Sequence, residues 1–275
     1  MEEEAAKLVF GVAAQGRAPL EAQLPTLLAW IGARAGVVLS HRVATSYEKL
    51  ADAVQEESVD IAWLPPLVFV RLERKQLVVP LATLQRGGQS TYEAVLVVRA
   101  DSKIDSLEAL RGTRAAWVDP LSAAGYVLPR GQLDARGLPP DALFVEERFL
   151  GTHTAALEAV RSGEADVAGT HGATDAAGEL LEGAHGQSLR VLARFGGIPA
   201  DVIAARRGID EGVRAKVAQA FVDAAADAEM RPVARAVFGV ESFVLGSEAS
   251  YAGWHRSLPA ALASGLLVAI DADEE

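Results

Sequence analysis

The segment Asp119-Pro120-Leu121-Ser122-Ala123-Ala124-Gly125-Tyr126 is the part of this sequence with the plainest chemical use. A strand is expected just before it, over 114–118, and a helix begins within it. Backbone N–H groups in the first turn of a helix have no intrahelical acceptor, and the helix dipole favours negative charge there. With the Ser122 hydroxyl added, the segment could hold the oxygens of a small anion. The same residues also read as a plain helix start, with Ser122 as the cap. Other candidates sit at the C-terminal ends of expected strands, where α/β proteins present ligand contacts. Arg17 follows the first strand and could supply positive charge, or be solvated surface. Trp63 ends a strand and could floor a pocket, or be packing. His171 and Asp175 follow the strand expected over 165–169. His41, His185 and His255 form no metal-ligand spacing with each other or with carboxylates, so no metal is expected, and no motif asks for a cofactor.

These residues need a scaffold, and the apolar pattern supplies one. Short apolar runs at 8–12, 37–43, 59–64, 94–98, 114–118, 143–149, 165–169, 189–193 and 202–205 read as buried strands. Between them lie helix patterns. Leu20, Leu24, Leu27, Leu28 and Ile31 share one helix face, stopped by Gly36. Thr45-Ser46 can cap a helix through Gln55, and Ser106 a short one bearing Leu107 and Leu110. A helix over 154–161 stops at Gly163, and a long one covers 213–228. Pro65-Pro66 is expected to turn the chain. Strands alternating with helices indicate an α/β architecture with mainly parallel sheets. One internal echo matters. Ala53-Val54 through Val59-Asp60-Ile61-Ala62 repeats the logic of Ala159-Val160 through Ala165-Asp166-Val167-Ala168. Each copy is a helix, a short turn, then a strand entered through Asp. The reading is two lobes built on one plan.

Composition narrows the function classes. The chain has 275 residues, half of them hydrophobic, enough for one large domain or two lobes with proper cores. Its formal net charge of −11 and its lack of a Lys/Arg run argue against a nucleic-acid partner. There is no cysteine, which excludes disulfides, thiolate catalysis and Cys-based metal sites. No run approaches the roughly 18 apolar residues of a membrane span, so the chain is not expected to be membrane-embedded. Met1-Glu2-Glu3-Glu4 lacks the basic and apolar regions of a secretory signal. The expectation is either a protein that stays inside the cell or a mature form with an added Met.

Several segments, in order, carry a family resemblance: Tyr47-Glu48-Lys49-Leu50 leading to Val59-Asp60-Ile61-Ala62-Trp63; Tyr92-Glu93-Ala94-Val95-Leu96-Val97-Val98 followed by Asp101-Ser102; the segment Asp119–Tyr126 with Pro129 beyond; Gly151-Thr152-His153-Thr154-Ala155-Ala156; and Ile198-Pro199-Ala200-Asp201. Together they resemble the phosphonate/phosphite/phosphate solute-binding proteins of ABC importers, over roughly residues 8–240. The resemblance implies a type II periplasmic-binding-protein fold: two α/β lobes, two crossing hinge strands near 92–98 and 202–205, and a ligand cleft between the lobes that hinge motion closes. The lobes are expected at 1–93 plus 205–275, the latter with the C-terminal helices, and at 94–204. Location by resemblance is periplasmic or extracellular.

The resemblance also assigns roles. The family reads Ser-Thr-Ser-Gly where this sequence has Ser122-Ala123-Ala124-Gly125, and its hydroxyls and amides hold the phosphonate oxygens. Each absent hydroxyl removes a hydrogen bond to a charged oxygen typically worth about 1.5–3 kcal/mol. The oxyanion is then bound more weakly, compensated elsewhere, or replaced by a ligand with fewer oxygens there. His153 matches the family's cleft histidine, Tyr47 and Tyr92 match aromatic wall positions, and Asp201 matches a carboxylate that meets the ammonium of aminophosphonates. Read without the family, His153 and Asp201 are ordinary polar residues at a helix start and a strand entry, and the tyrosines are core or rim. The expected function is capture of a small anion, with an ABC permease or a signalling protein as partner. No Gly-x-Ser-x-Gly, His-Glu-x-x-His or P-loop is present, which argues against an enzyme. A cytoplasmic ligand sensor and a lyase resembling the chorismate dehydratases remain as alternatives on the same fold.

Overall fold

A computed structural model describes residues 5–13, 18–172, 188–249 and 251, and, within that, no side chains for 18–21. Arg17, Asp175, His185, His255 and the side chain of Leu20 therefore lie outside the described residues. The chain divides into two units, Met1–Thr91 with Pro199–Tyr251, and Tyr92–Ile198.

The first unit starts with β1 (Ala6–Ala13), α1 (Ala18–Ala35), β2 (Val37–Ala44), α2 (Tyr47–Gln55), β3 (Ile61–Leu64), α3 (Pro66–Arg74) and β4 (Val78–Gln85). The second contains β5 (Thr91–Arg99), β6 (Thr113–Trp117), α4 (Leu128–Asp134), α5 (Pro140–Leu143), β7 (Phe144–Phe149), α6 (His153–Ser162), β8 (Val167–His171) and β9 (Leu189–Pro199). The chain then returns to the first unit through β10 (Val202–Arg206), α7 (Glu211–Ala226), α8 (Met230–Phe238) and β11 (Ser242–Leu245). The sheet orders are β11-β4-β10-β3-β1-β2 and β7-β6-β8-β5-β9.

Local sequence accounts for most of these boundaries. Leu24, Leu27, Leu28 and Ile31 are buried along α1, and Gly36 ends it at φ 73°, the left-handed conformation a β-carbon resists. Ser46 caps α2 by accepting from Lys49 N, and Thr152 caps α6 by accepting from Ala155 N. Pro65-Pro66 does more than turn the chain. Pro66 is the first residue of α3, where a missing N–H leaves no intrahelical bond unmade.

The sheets are mixed, not mainly parallel. The β1–β2, β1–β3, β6–β7 and β6–β8 pairs are parallel. The β10–β3, β10–β4, β11–β4 and β5–β8 pairs are antiparallel. The reason is connectivity: β5 and β10 are the strands by which the chain enters each unit from the other, and each joins its sheet running against its neighbour. A buried apolar run looks the same in either direction, so the pattern does not report it.

Each unit has its own core. In the first, Phe10, Trp63, Phe221, Phe238 and Phe243 meet mostly edge-on among the buried aliphatics of α1, α7 and α8. In the second, Val95, Val97, Ala116, Val118 and Ala168 on the sheet pack against Ala156, Leu157 and Val160 of α6.

The internal echo is physical. Asp60 Oδ2 accepts from Val9 N at 2.8 Å while Asp60 N donates to Val9 O. Asp166 Oδ2 accepts from Arg114 N at 2.9 Å while Asp166 N donates to Arg114 O. Each carboxylate also takes an arginine, Arg206 for Asp60 and Arg114 for Asp166. The Asp entering β3 clamps β1 as the Asp entering β8 clamps β6. The orders β10-β3-β1-β2 and β5-β8-β6-β7 then correspond strand for strand, with α2 matching α6.

Candidate functional site

In the second unit the chain leaves β6 into a turn with little freedom. Asp119 Oδ1 accepts from Leu121 N at 2.8 Å, and Ser122 N donates to Asp119 O. Ser122 Oγ accepts from Gly125 N at 3.0 Å. A single π-helical turn, Ala123–Val127, follows and runs into α4, with Val127 N donating to Ser122 O. Such insertions recur at functional sites. The amides of Ala123 and Ala124 come first in this turn, where no helical carbonyl precedes them. Ser122 is thus a cap, and its hydroxyl proton can still be donated.

Close packing fixes the turn. A β-carbon on Gly125 would stand 2.6 Å from Val118 Cβ and 2.7 Å from Ser122 Oγ. One on Gly169 in β8 would stand 3.0 Å from Gly125 O and from Trp117 Cζ3. Only glycines let the turn sit against β6 and β8 this closely. Behind it, Trp117 Nε1 donates to Glu147, which also pairs with Arg130 at 3.2 Å. Arg130 pairs with Asp141 as well. Tyr126 lies edge-on to Trp117 and Phe149, and burial pushes its phenol pKa up.

His153 is the first residue of α6. The preceding loop is tied to β6 by Leu150 N to Trp117 O and Gly151 N to Val118 O. His153 Nδ1 lies 2.9 Å from Thr170 Oγ1, and Thr170 is fully buried in β8. The ring of His171 meets that of His153 nearly perpendicular, with centroids 4.7 Å apart. β5 brings its N-terminal end to the same sheet edge, with Ala94 opposite His171 and Gly172 N donating to Glu93 O. The half-buried Tyr92 stands two residues before Ala94 on β5. Ser122–Gly125, His153, His171 and Tyr92 thus gather at the edge where β6 and β8 end.

In the first unit, half-buried Tyr47 opens α2, at the position His153 holds in α6. Trp63 is 2% exposed, packs edge-on to Phe238 at 4.9 Å, and donates its indole N–H to Asp201 Oδ2 at 3.0 Å. Trp63 is therefore a core residue that anchors the Asp201 carboxylate just before β10. Thr170 was missed in the sequence; its one signal was a hydroxyl beside His171 at the end of an apolar strand. Among the described residues, no cluster of His, Asp and Glu could hold a metal ion, and no helix is long and apolar enough to cross a membrane.

A family model described as the periplasmic substrate-binding protein of phosphonate ABC transporters matches residues 10–251. A solved binding-protein component of an ABC phosphonate transporter from Pseudomonas aeruginosa is similar over 92% of this chain and 85% of its own, with a TM-score of 0.78 and 22% identity. XAC2383 from Xanthomonas citri, solved bound to chloride ion, covers 96% of this chain and 99% of its own, with a TM-score of 0.75 and 22% identity. PhnD1 from Prochlorococcus marinus, solved in complex with methylphosphonate, covers 92% and 98%, with a TM-score of 0.75 and 15% identity.

Proposed function

The chain belongs to the family of periplasmic substrate-binding proteins of phosphonate ABC transporters, with the type II binding-protein fold, and from that premise we propose that it captures a phosphonate-class oxyanion for delivery to a membrane permease. The observation that carries the ligand class is the gathering of Ser122–Gly125, His153 and His171 at one sheet edge. Two leading amides, a hydroxyl and an imidazole are donors suited to a tetrahedral anion, and donor geometry at a helix start is sequence-independent. In this reading the amides of Ala123 and Ala124 and the hydroxyl of Ser122 take the oxygens. Gly125 allows the close turn and gives its own N–H to Ser122. His153 adds a donor, Tyr47 and Tyr92 contribute aromatic surface, and Asp201, anchored by Trp63, receives the ammonium of an aminophosphonate. Ala123 and Ala124 offer no hydroxyls, so His171 is assigned a compensating contact. Capture and release for transport requires no nucleophile and no general base.

The test is calorimetry with methylphosphonate, 2-aminoethylphosphonate, phosphite, phosphate and sulfate on the wild-type protein and H153A. A ligand at 100 times its Kd should also add about 2.7 kcal/mol of stability. Loss of one hydrogen bond to a charged oxygen, about 1.5–3 kcal/mol, should weaken binding in H153A roughly 10- to 150-fold. No response to any phosphorus oxyanion, or equal affinity in H153A, refutes the reading.

A further inference from the structure

We infer that Thr170 is a positioning residue that fixes His153 as the neutral tautomer protonated on Nε2, so that the ring donates a hydrogen bond without first taking a proton from solution. Thr170 is 0% exposed, and among the described residues its Oγ1 has one hydrogen-bond partner, His153 Nδ1 at 2.9 Å. A hydroxyl in that position can donate to Nδ1 or accept from it. If it accepts, its own proton is left in the protein interior without an acceptor, and an unmade buried donor is costly. If it donates, the proton is satisfied and Nδ1 is the acceptor. The single ring proton then sits on Nε2.

The same contact opposes ionisation. An imidazolium carries a proton on both nitrogens, so Nδ1 would have to donate to Oγ1 and displace the threonine proton from its partner. The adjoining ring of His171, 4.7 Å away, adds a second penalty, because two neighbouring imidazolium ions repel. Ionisable groups at this sheet edge include Asp119, whose Oδ1 accepts from Leu121 N, and Glu93, whose backbone carbonyl accepts from Gly172 N. Both are acidic and favour the charged ring; the threonine hydroxyl and the His171 ring act in the opposite sense. The consequence for recognition is a donor whose strength does not fade as pH rises through the histidine range. This last step rests on the reading of His153 as an anion donor; the tautomer assignment does not.

Long-range proton–nitrogen correlation spectra of histidine-labelled protein without ligand test the assignment. Wild type should show His153 protonated on Nε2 and resisting protonation below its ordinary midpoint of about 6.5. T170V should show mixed tautomers and a midpoint moved up toward that value, and T170S should restore the wild-type spectrum. A wild-type ring protonated on Nδ1, or T170V with unchanged tautomer and midpoint, overturns the inference. If T170V does not fold, the wild-type spectrum and T170S still decide it. In a second arm, methylphosphonate affinity of T170V relative to wild type, taken at each pH so that ligand ionisation cancels, should fall about twofold at pH 8, the loss expected when about half the rings hold the wrong tautomer, and recover by pH 5.5. A ratio that is flat with pH also overturns it. Failure of wild type to bind methylphosphonate would refute the proposed function while leaving the spectroscopic result standing.

Discussion

Replacing Gly125 with alanine probes how tightly the Ser122–Gly125 turn is built. The new β-carbon would stand 2.6 Å from Val118 Cβ and 2.7 Å from Ser122 Oγ, well inside contact distance, and Val118 Cγ2 is closer still. Val118 is 1% exposed within the core of the second unit, so it has little room to yield. Overpacking of this kind costs about 1–3 kcal/mol. Pushing Ser122 away also breaks its cap on Gly125 N, worth about 1 kcal/mol. The sum, roughly 2–4 kcal/mol, is a large share of the few kcal/mol by which a domain is stable. Urea denaturation should show it as a lower midpoint. Calorimetry should show weaker methylphosphonate binding, because the amides of Ala123 and Ala124 move with the turn. V118A removes the Cγ2 clash but leaves the Cβ contact, so V118A/G125A should be more stable than the two single losses predict by at least about 0.5 kcal/mol. A G125A protein within about 0.5 kcal/mol of wild type, or strict additivity in the double variant, would refute the reasoning.

Two pH-dependent predictions follow from buried or paired groups. The Arg114 guanidinium, by hydrogen bond, lowers the Asp166 pKa. A depressed carboxyl stabilises the fold above its unfolded value of about 3.9 and loses that contribution as pH falls through the folded value. D166N should therefore be less stable than wild type at pH 7, and the urea midpoints should converge below about pH 4; parallel curves would count against the clamp. Tyr251 donates to Ala200 O at 2.8 Å, and burial pushes its phenol pKa well up. A raised tyrosine stabilises below its unfolded value of about 10 and loses that as pH rises. Y251F should cost about 1 kcal/mol at pH 7, while wild type should lose about 1.4 kcal/mol by pH 11 that Y251F does not lose. A constant gap between the two from pH 7 to 11 would show that the phenol is not held neutral by its surroundings.

Much of the scaffold was legible because its signals are local. The helix with buried Leu24, Leu27, Leu28 and Ile31, the Ser46 cap and the Gly163 stop each follow from a few adjacent residues. The echo around Asp60 and Asp166 was visible as a pattern, although that each carboxylate clamps the neighbouring strand through an amide and an arginine was not. The helix α3, the strand β4 between β10 and β11, the short α5 and the last pair, α8 and β11, went unread. Pro66 resembles a breaker until its place at the first helical position is known, and the apolar faces of α8 are short.

The sequence by itself determined an α/β chain, its strand and helix periods, and the candidate residues at the ends of strands, because side-chain alternation and capping act within a few residues. It carried the anion-binding turn as far as the order Ser122-Ala123-Ala124-Gly125. Tertiary structure decided strand direction, because a returning strand can enter a sheet either way with the same apolar run. It decided that Trp63 is core and anchors Asp201, 138 residues away along the chain. It also set Thr170 against His153, since hydrogen-bond partners on different elements leave no periodic trace in the sequence and meet only when β8 and α6 pack.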